Sequence, residues 1–548
     1  MNPKSTLYIL IFSLFSSIVY SQTTIKEKDY SVTYYPNSIE ISFDKSVTFS
    51  AFDSKSYTEK HFIADSNKAN TYILSDFIPS EFITFQYVLN DDLNREYNSS
   101  IIATPSASSG VMNVYFNHTV NTAAAQYQPA QNLGNTVDDM LVSYINSCQS
   151  TLDIAIYNSA SPSNTSGIAG AINNAYSRGV QVRVIYDGST GSQMIPLLNP
   201  SIPVMPSPND SSYGIMHNKF VVFDATSSDP NKPWVWTGST NWTAAQIDGP
   251  DKNSAIAIQD QSLALAYKTE FEEMWGTSGV QPDYNNSKFG PYKTNNTPHN
   301  FIIGNKIVNS YFSPTDGVTT QIINAINSAD SDIEIATMLV TRNDIRDALI
   351  NKYNSGLHAI EGVFDTQNPS GNDIPDIRAT IGANKIVQYS GAGIMHHKFM
   401  VVDNFNASAD PLVLLGSHNW STSAETRNDE NTLVIHDKTI ADQYYQAFQN
   451  LYLEAGGILA VPEIASNKKN VILYPNPTDG LVSLKVDSNL INSKGKISVY
   501  SVAGTLITER DFPNANNASI DLSNYPKGLY FVNITIGELK YQSKIIKK

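Results

Sequence analysis

The sequence predicts a multidomain α/β protein with a two-fold-repeated α/β core, flanked by a β-sandwich at each end. Its 548 residues are too many for one hydrophobic core. In the middle of the chain, strand-like and helix-like segments alternate in two similar passages, and both passages end in the same short motif. The first and last stretches contain short alternating runs separated by turn residues, a pattern typical of β-sandwiches.

The chain begins with a pattern typical of a secretory signal peptide. Lys4 supplies a positive charge, and an apolar run extends from Leu7 to Tyr20. We expect cleavage after Ser21, which would remove residues 1–21 and leave a soluble mature protein outside the cytoplasm. A membrane anchor is the alternative, but the run is too short to span a bilayer comfortably. No other apolar run in the sequence is long enough to do so.

Residues 22–108 form the first predicted β-sandwich-like domain. Aromatic and β-branched residues alternate with polar ones there, for example in 39–43 and 82–88, and turn residues separate these runs. The sequence leaves the role of this domain open between a spacer and a binding module, and favours the spacer. A Ser-rich linker, Pro105 to Gly110, follows it.

The core is predicted as two homologous halves, residues 111–285 and 298–458. The predicted elements are strand 151–159, helix 168–178 and strand 180–187 in the first half, and strand 332–340, helix 344–355 and strand 358–365 in the second. The copies lie about 180 residues apart, far above the periods of solenoid repeats. We therefore expect two halves of one core, related by a pseudo-two-fold axis.

Residues 469–548 form the last predicted domain, a compact β-sandwich. Its sequence resembles the C-terminal sorting domain of the bacterial type IX secretion system. The resemblance rests on YPNPTDG at 474–480, ISVYSVAGTLI at 497–507, IDLSNYPKGLYFVNI at 520–534 and the basic tail KIIKK. It implies the secretion machinery as a partner, export across the outer membrane, and release or surface attachment.

Two motif blocks carry the predicted chemistry. Both read HxKx4D followed by GSxNW, with their polar residues at His217, Lys219, Asp224, Ser239 and Asn241 in the first half and at His396, Lys398, Asp403, Ser417 and Asn419 in the second. A single HxK occurs by chance in many long chains. Two copies with the same Asp offset and a matching GSxNW are a specific signal.

The spacing of HxK places its two functional side chains together. On a strand, residues two apart point to the same face, so each motif presents one imidazole and one ammonium. Two such strands side by side collect two His, two Lys and two Asn, a set suited to a phosphodiester. The lysines neutralise phosphate oxygens without a metal ion and the amides donate further hydrogen bonds. One imidazole can attack phosphorus while the other protonates the leaving oxygen.

These paired motifs resemble the HKD motifs of the phospholipase D superfamily, over residues 111–458. The resemblance implies a phospholipase D-like core in which His217 and His396 are nucleophile and acid/base, with His217 favoured as nucleophile. The implied phosphate-binding residues are Lys219, Lys398, Asn241 and Asn419, with Ser239 and Ser417 shaping the pocket. Asp224 and Asp403 complete the catalytic motifs and are expected to bond within them rather than to substrate.

The superfamily also places an acidic residue after GSxN to support a motif histidine. Glu430 stands in that position of the second half, where it is expected to support His396. The same offset in the first half reaches Lys252, with Asp251 beside it as a candidate substitute. The segments 225–237 and 404–415 are longer than in compact members of the superfamily, and we expect them to rim the cleft.

The remaining reactive residues receive structural interpretations. His397 and His418 have no counterpart in the first half and are predicted to be structural or pocket-lining. Cys148, the one cysteine, lies in an apolar helical pattern and is predicted to be a core residue. No residues with metal-ligand spacing surround His396 and His397, and the two-lysine chemistry needs no cofactor or metal.

The leading functional hypothesis is a phospholipase D that hydrolyses phospholipid head-group esters to phosphatidic acid. Both motifs share one chain, which suggests a monomer, whereas the smallest nucleases of the superfamily carry one motif and dimerise. The net charge is −15, and residues 111–458 contain 17 Lys and Arg against 32 Asp and Glu, so no stable nucleic-acid complex is expected. The alternative is an extracellular nuclease acting on DNA or RNA. A third hypothesis, a non-catalytic surface-binding protein, is disfavoured because both motifs are complete.

Overall fold

A computed structural model describes residues 22–90, 97–160, 162–210, 212–365, 371–406, 408–458, 471–486, 490–501, 505–515, 518–537 and 539–548. The predicted signal peptide, residues 1–21, lies outside this described part of the chain. Two eight-stranded mixed sheets form the core, with antiparallel sheets before and after them. This arrangement confirms the predicted fold class.

The N-terminal unit is a pair of antiparallel sheets. Its strands are β1 (Thr23–Lys26), β2 (Tyr30–Tyr35), β3 (Ser38–Phe43), β4 (Val47–Asp53), β5 (Ile63–Ala64), β6 (Thr71–Ser75), β7 (Phe82–Leu89) and β8 (Asn98–Ala103). One sheet has the order β1-β2-β3-β6-β5 and the other β4-β7-β8. Alternate residues of both sheets point inward, and Ile39, Ile41, Ile83 and Phe85 are fully buried between them.

The Ser-rich segment after β8 is packed against the core rather than free. The buried Ser106 hydroxyl donates to the carboxylate of Asp260, and the buried Ser108 hydroxyl donates to the carbonyl of Pro230 at 2.5 Å. Gly110 has φ +71° and lies so close to the backbone of Gly304 that a Cβ would collide with it. The segment predicted as a linker therefore fixes the N-terminal unit to the core.

The first half of the core is an eight-stranded sheet covered by helices. Its elements are β9 (Met112–Phe116), β10 (Gln131–Asn132), α1 (Val137–Ser147), β11 (Thr151–Ile156), α2 (Pro162–Ser177), β12 (Gln181–Tyr186), β13 (Val204–Pro206), β14 (Lys219–Phe223), β15 (Trp234–Gly238), α3 (Ala244–Ile247), β16 (Ser254–Ile258) and α4 (Gln261–Trp275). The strand order is β10-β9-β16-β15-β14-β11-β12-β13.

The second half repeats the same plan. Its elements are β17 (Asn300–Ile303), β18 (Lys306–Ser313), α5 (Val318–Ser328), β19 (Ile333–Thr337), α6 (Asn343–Asn354), β20 (Ile360–Asp365), α7 (Ile374–Ile381), β21 (Ile386–Tyr389), β22 (Lys398–Val402), β23 (Leu412–Gly416), α8 (Thr422–Thr426), β24 (Glu430–Ile435) and α9 (Lys438–Glu454). The strand order is β17-β18-β24-β23-β22-β19-β20-β21. From β18 onward this order matches the order of the first half from β9 onward, strand for strand.

The predicted strands after α1 and α5 are shorter than expected at their carboxyl ends. The first ends at Ile156 rather than residue 159, and the second at Thr337 rather than residue 340. Tyr157 keeps one backbone bond, from its N–H to the carbonyl of Asn218 at 2.9 Å, before the chain turns away from the sheet. These strand ends lie beside the starts of β14 and β22, where the HxK motifs stand.

The two halves differ in a buried charged pair on neighbouring parallel strands. In the first half, the guanidinium of Arg183 donates to both carboxylate oxygens of Asp153, at 2.7 and 2.9 Å. The same register positions of the second half hold Glu334 and Glu361. Glu334 is buried and one of its carboxylate oxygens has no hydrogen-bond partner among the described residues. Burial first, and then the neighbouring carboxylates, raise the pKa of Glu334 well above its ordinary value.

Replacing Glu334 by Gln is expected to flatten the pH dependence of stability. A carboxyl with a raised pKa keeps its proton in the folded chain after the unfolded chain has lost it, so stability falls as pH rises above about 4.5. The slope is up to about 1.4 kcal/mol per pH unit. In thermal unfolding between pH 4 and 8, the stability of Glu334→Gln relative to the parent should increase most near pH 8. Glu454→Gln, at an exposed position, should follow the parent. An unchanged slope in Glu334→Gln would contradict this.

The C-terminal unit is a two-sheet β structure. Its strands are β25 (Val471–Tyr474), β26 (Leu481–Val486), β27 (Gly495–Tyr500), β28 (Leu506–Phe512), β29 (Ser519–Asp521), β30 (Gly528–Ile536) and β31 (Leu539–Lys547). They form sheets of order β25-β26-β29 and β28-β27-β30-β31, with Val482, Ile497 and Val532 buried between them. Within the described part of the chain, every helix is too short or too polar to cross a membrane.

Candidate active site

The two HxK motifs lie at equivalent places in the two sheets. Lys219 is the first residue of β14 and Lys398 the first of β22, and each histidine precedes its lysine by two residues. The ammonium of Lys219 donates to the carbonyl of His217 at 2.6 Å, and Lys398 donates to the carbonyl of His396 at 2.7 Å. His217 is 4% exposed and His396 7%, so both imidazoles are held in a nearly closed site.

Backbone pairing between the halves joins the motifs into one site. The N–H of His217 donates to the carbonyl of Asp429 at 2.9 Å, and the N–H of His396 donates to the carbonyl of Lys252 at 2.9 Å. The backbone at the start of each HxK motif therefore pairs with the segment that follows GSxNW in the opposite half. This exchange brings side chains from both halves against each histidine.

The crossing places Glu430 against His217. The Glu430 carboxylate lies 2.7 Å from Nδ1 of His217, and the Ser417 hydroxyl donates to the same carboxylate oxygen at 2.8 Å. The expectation that Glu430 supports His396, in its own half, is therefore wrong. The physical reason is the backbone bond at Asp429, which aligns the start of β24 with the other half's motif.

His396 receives a different support. Its Nδ1 lies 2.9 Å from the side-chain oxygen of Asn253, and the Ser239 hydroxyl donates to that same oxygen at 3.1 Å. Asn253 is fully buried. The arrangement repeats the Ser417–Glu430 pair with an amide in place of the carboxylate.

Asn253 was missed by the sequence analysis because the halves differ by one residue. It stands two residues before the strand partner of Gly238, as Glu430 stands two before the partner of Gly416. Counting back from strand β16, instead of forward from Asn241, finds it. The candidate substitute Asp251 has another role, since its carboxylate accepts the backbone N–H of Ile394 at 2.8 Å.

The predicted phosphate-binding asparagines follow β15 and β23, the neighbours of the two lysine-bearing strands. The side-chain oxygens of Asn241 and Asn419 are buried and have no hydrogen-bond partner among the described residues. The backbone N–H of Asn241 donates to the side-chain oxygen of Gln246 at 2.7 Å, which fixes the turn after β15. Because these oxygens only accept hydrogen bonds, a phosphate at the edge of the sheet where the lysines begin would be bound by the NH2 groups of the two amides.

Asp224 and Asp403 lie at the other end of β14 and β22. The Asp224 carboxylate accepts three backbone N–H groups of the turn 149–151, and Asp403 accepts those of Asp330 and Ser331. The structure brings neither residue to the histidines. The segments after these aspartates leave from the same far end, so the expectation that they rim the cleft is wrong.

Burial and like charge dominate the electrostatics of the site. Desolvation, followed by the nearby lysines, lowers the pKa of both His217 and His396 well below 6.5. Burial also lowers the pKa of Lys219 to about 7 and that of Lys398 well below its ordinary value. Burial raises the pKa of Glu430 to about 6. An anion bound among these groups would favour the charged forms of both lysines.

Tyr157 is a second residue that the sequence analysis missed. Its ring centroid lies 4.6 Å from that of His217, and the Lys219 ammonium lies 5.1 Å from the ring centroid. Because Ile156 and Thr337 occupy equivalent strand positions, the counterpart of Tyr157 in the second half is Met338. The sequence feature that could have identified Tyr157 is its position directly after β11, at the edge of the sheet that carries the motif.

His397 and His418 each lie against a side chain outside the two motifs. Nε2 of His397 lies 2.7 Å from Nε2 of His118, across the contact between the halves. Nε2 of His418 lies 3.6 Å from the carboxylate of Glu425. Among the described residues, no three or more His, Cys, Asp or Glu side chains are arranged to hold a metal ion.

Comparison with protein families matches most of the core and the C-terminal unit. The family model described as "Cardiolipin synthase, PLD-like domain" matches residues 141–275 and again 322–452. The model described as "Secretion system C-terminal sorting domain" matches residues 472–548. The repeat is thus two copies of one domain type.

Individual relatives match about a quarter of the chain. Mitochondrial cardiolipin hydrolase of Xenopus tropicalis is 35% identical over 131 residues, 23% of this chain and 55% of that protein. Phospholipase D of Rickettsia felis is 27% identical over 26% of this chain and 68% of its own. The solved structure of Nuc from Salmonella typhimurium, titled a phospholipase D family member, is 27% identical over 27% of this chain and 94% of its own, with a TM-score of 0.23. The chain spans just over half of the first curated relatives, 55% and 60%.

Proposed function

This chain carries two phospholipase D-like domains and a C-terminal sorting domain of the type IX secretion system, and we propose that it is a phosphodiesterase acting through a phosphohistidine. The sorting domain makes it a secreted or cell-surface protein. The substrate therefore has to be a phosphodiester that is met outside the cell.

One observation carries the proposal: two buried His–Lys pairs lie in different halves, and each histidine is supported by a residue of the opposite half. A single diester phosphate carries one negative charge, which two lysines can neutralise at its non-bridging oxygens. The imidazoles hold their Nδ1 atoms against Glu430 and Asn253, which leaves Nε2 as the reactive nitrogen of each.

The reaction proceeds in two displacements. In the first, Nε2 of one histidine forms a bond to phosphorus while the bond to the leaving oxygen breaks, and the other histidine gives its proton to that oxygen. In the second, the other histidine takes a proton from water as the water oxygen bonds to phosphorus and the N–P bond breaks. The products are an alcohol and a phosphate monoester, and both histidines return to their starting states.

We favour a phospholipid as the substrate, hydrolysed at its head-group ester to phosphatidic acid. The matched relatives are named cardiolipin hydrolase and phospholipase D. The net charge of −15 offers no general attraction for a nucleic-acid backbone. A neutral or zwitterionic lipid surface does not require such attraction.

A secreted nuclease is the second candidate, and one observation favours it. The ring centroids of Tyr213 and Tyr292 lie 5.0 Å apart. Tyr213 stands four residues before His217 in the sequence. Tyr292 is exposed and Tyr213 is partly buried, so the ring of Tyr292 can stack against a nucleobase.

Substrate assays in EDTA test these proposals. The purified protein is incubated with phosphatidylcholine vesicles, with cardiolipin vesicles and with single-stranded DNA. We expect phosphatidic acid from lipid and intact DNA, with activity lost in His217→Ala and retained in His436→Ala, whose imidazole binds Asp410 outside the site. Cleaved DNA with intact lipid would replace the lipid proposal with the nuclease. Activity that requires added metal would contradict the two-lysine mechanism.

A further inference from the structure

The two motif histidines stand on chemically different supports. Glu430 offers a carboxylate to His217, and Asn253 offers a neutral amide to His396, at 2.7 and 2.9 Å. Both supports are buried, and both come from the half opposite to the histidine they touch. The site is therefore symmetric in its backbone and asymmetric in its charge.

Hydrogen bonding fixes the orientation of the Asn253 amide. Ser239 and Ser417 each accept a backbone N–H of the adjacent strand, at 3.1 and 3.0 Å, so each hydroxyl proton points to the support. Ser417 donates to the Glu430 carboxylate, and Ser239 donates equivalently to the side-chain oxygen of Asn253. That oxygen can then only accept from His396, so Nδ1 carries the hydrogen in both histidines.

The difference in charge separates the roles of the two imidazoles. An imidazole bonded to phosphorus through Nε2, with hydrogen on Nδ1, is a cation, and the Glu430 carboxylate stabilises that cation on His217. Asn253 provides no such charge, so His396 in its protonated form is the stronger acid of the two. The stronger acid is the better donor to a poor leaving group.

We propose that Asn253 is a positioning residue that makes His396 the proton donor and acceptor, and leaves His217 to form the phosphohistidine. The proposal rests on the proposed phosphodiesterase function. In the first step, Nε2 of His217 bonds to phosphorus, the leaving oxygen takes its bonding electrons, and the Nε2 proton of His396 neutralises that oxygen. In the second, Nε2 of His396 takes the proton of water, whose oxygen displaces Nε2 of His217.

A diester with an activated leaving group separates the two roles. 4-Nitrophenolate needs no proton to depart, so bis(4-nitrophenyl) phosphate can be cleaved without the acid. We expect His396→Asn to release a burst of about one 4-nitrophenolate per chain in stopped flow, with steady turnover at least about 100-fold below the parent. His217→Asn is expected to give no burst. A burst in His217→Asn and none in His396→Asn would reverse the assignment and overturn the proposal.

The pH profile of Asn253→Asp tests the support itself. A carboxylate under His396 raises the pKa of that acid, so the alkaline limb of kcat for a diester with an alkyl leaving group should move up by about one pH unit; kcat is used because the bound phosphate keeps Lys219 protonated. A purely structural role would change activity or thermal stability without moving that limb, and an unmoved limb in a folded variant overturns the proposal. An inactive parent on both diesters would instead contradict the phosphodiesterase function.

Discussion

Replacing Lys398 by Met is expected to lower kcat/KM for a phosphodiester by about 100- to 1,000-fold, the range found when one preorganised oxyanion donor is removed. Lys398 is buried, and its ammonium donates to the backbone carbonyl of His396 rather than to a carboxylate. Its charge is therefore available to a bound phosphate. Methionine keeps the length of the side chain and removes the charge, so the loss reports the electrostatic contribution.

The same argument predicts how substrate binding depends on pH. Burial lowers the pKa of Lys219 to about 7, so the free protein loses this cation as pH rises through neutrality. A bound phosphate anion requires the protonated lysine, and KM is expected to rise above pH 7. Lys219→Met should remove this part of the pH dependence.

Steady-state kinetics across pH 6 to 9 checks both lysine variants. The matched control is Lys288→Met, because Lys288 is half-exposed and pairs with Glu273 away from the site. A parent-like kcat/KM in Lys398→Met would contradict the proposed binding of phosphate by both lysines.

The repeat made most of the core predictable from the sequence. Two copies of one motif block, each preceded by the same strand–helix–strand pattern, indicated two equivalent sheets with the lysines at equivalent positions. The structure places Lys219 and Lys398 at the first positions of matching strands, as residues two after their histidines. The histidines themselves precede these strands, so the predicted strand position of the motif is correct for the lysines and wrong for the histidines.

Contacts between the halves could not be read in the same way. The sequence shows that Glu430 follows GSxNW, but not that its strand start pairs with the opposite motif through the backbone at Asp429. The first half also has one additional residue after GSxNW. The offset that leads from Asn419 to Glu430 therefore leads from Asn241 to Lys252, one residue before Asn253. Pairing across a pseudo-two-fold axis depends on how two sheets dock, and no local pattern in either half encodes it.

Replacing Glu430 by Gln is expected to slow phosphohistidine formation by about 100- to 1,000-fold, because it removes the charge that balances the cation on His217. The amide keeps the size of the side chain and an acceptor for the Ser417 hydroxyl, so orientation alone is largely retained. The measurement is the rate of the 4-nitrophenolate burst in stopped flow.

The pH dependence of that burst distinguishes charge from geometry. Burial raises the pKa of Glu430 to about 6, so acidification of the parent through pH 6 neutralises the carboxylate and should slow the burst. In Glu430→Gln this acid limb should be absent, because an amide does not titrate there. Glu454→Gln makes the same chemical change on the exposed end of α9 and should retain both the rate and the limb. A variant with a slow burst and an unchanged limb near pH 6 would show that Glu430 only orients His217, and the asymmetry of charge would then not explain the division of labour between the histidines.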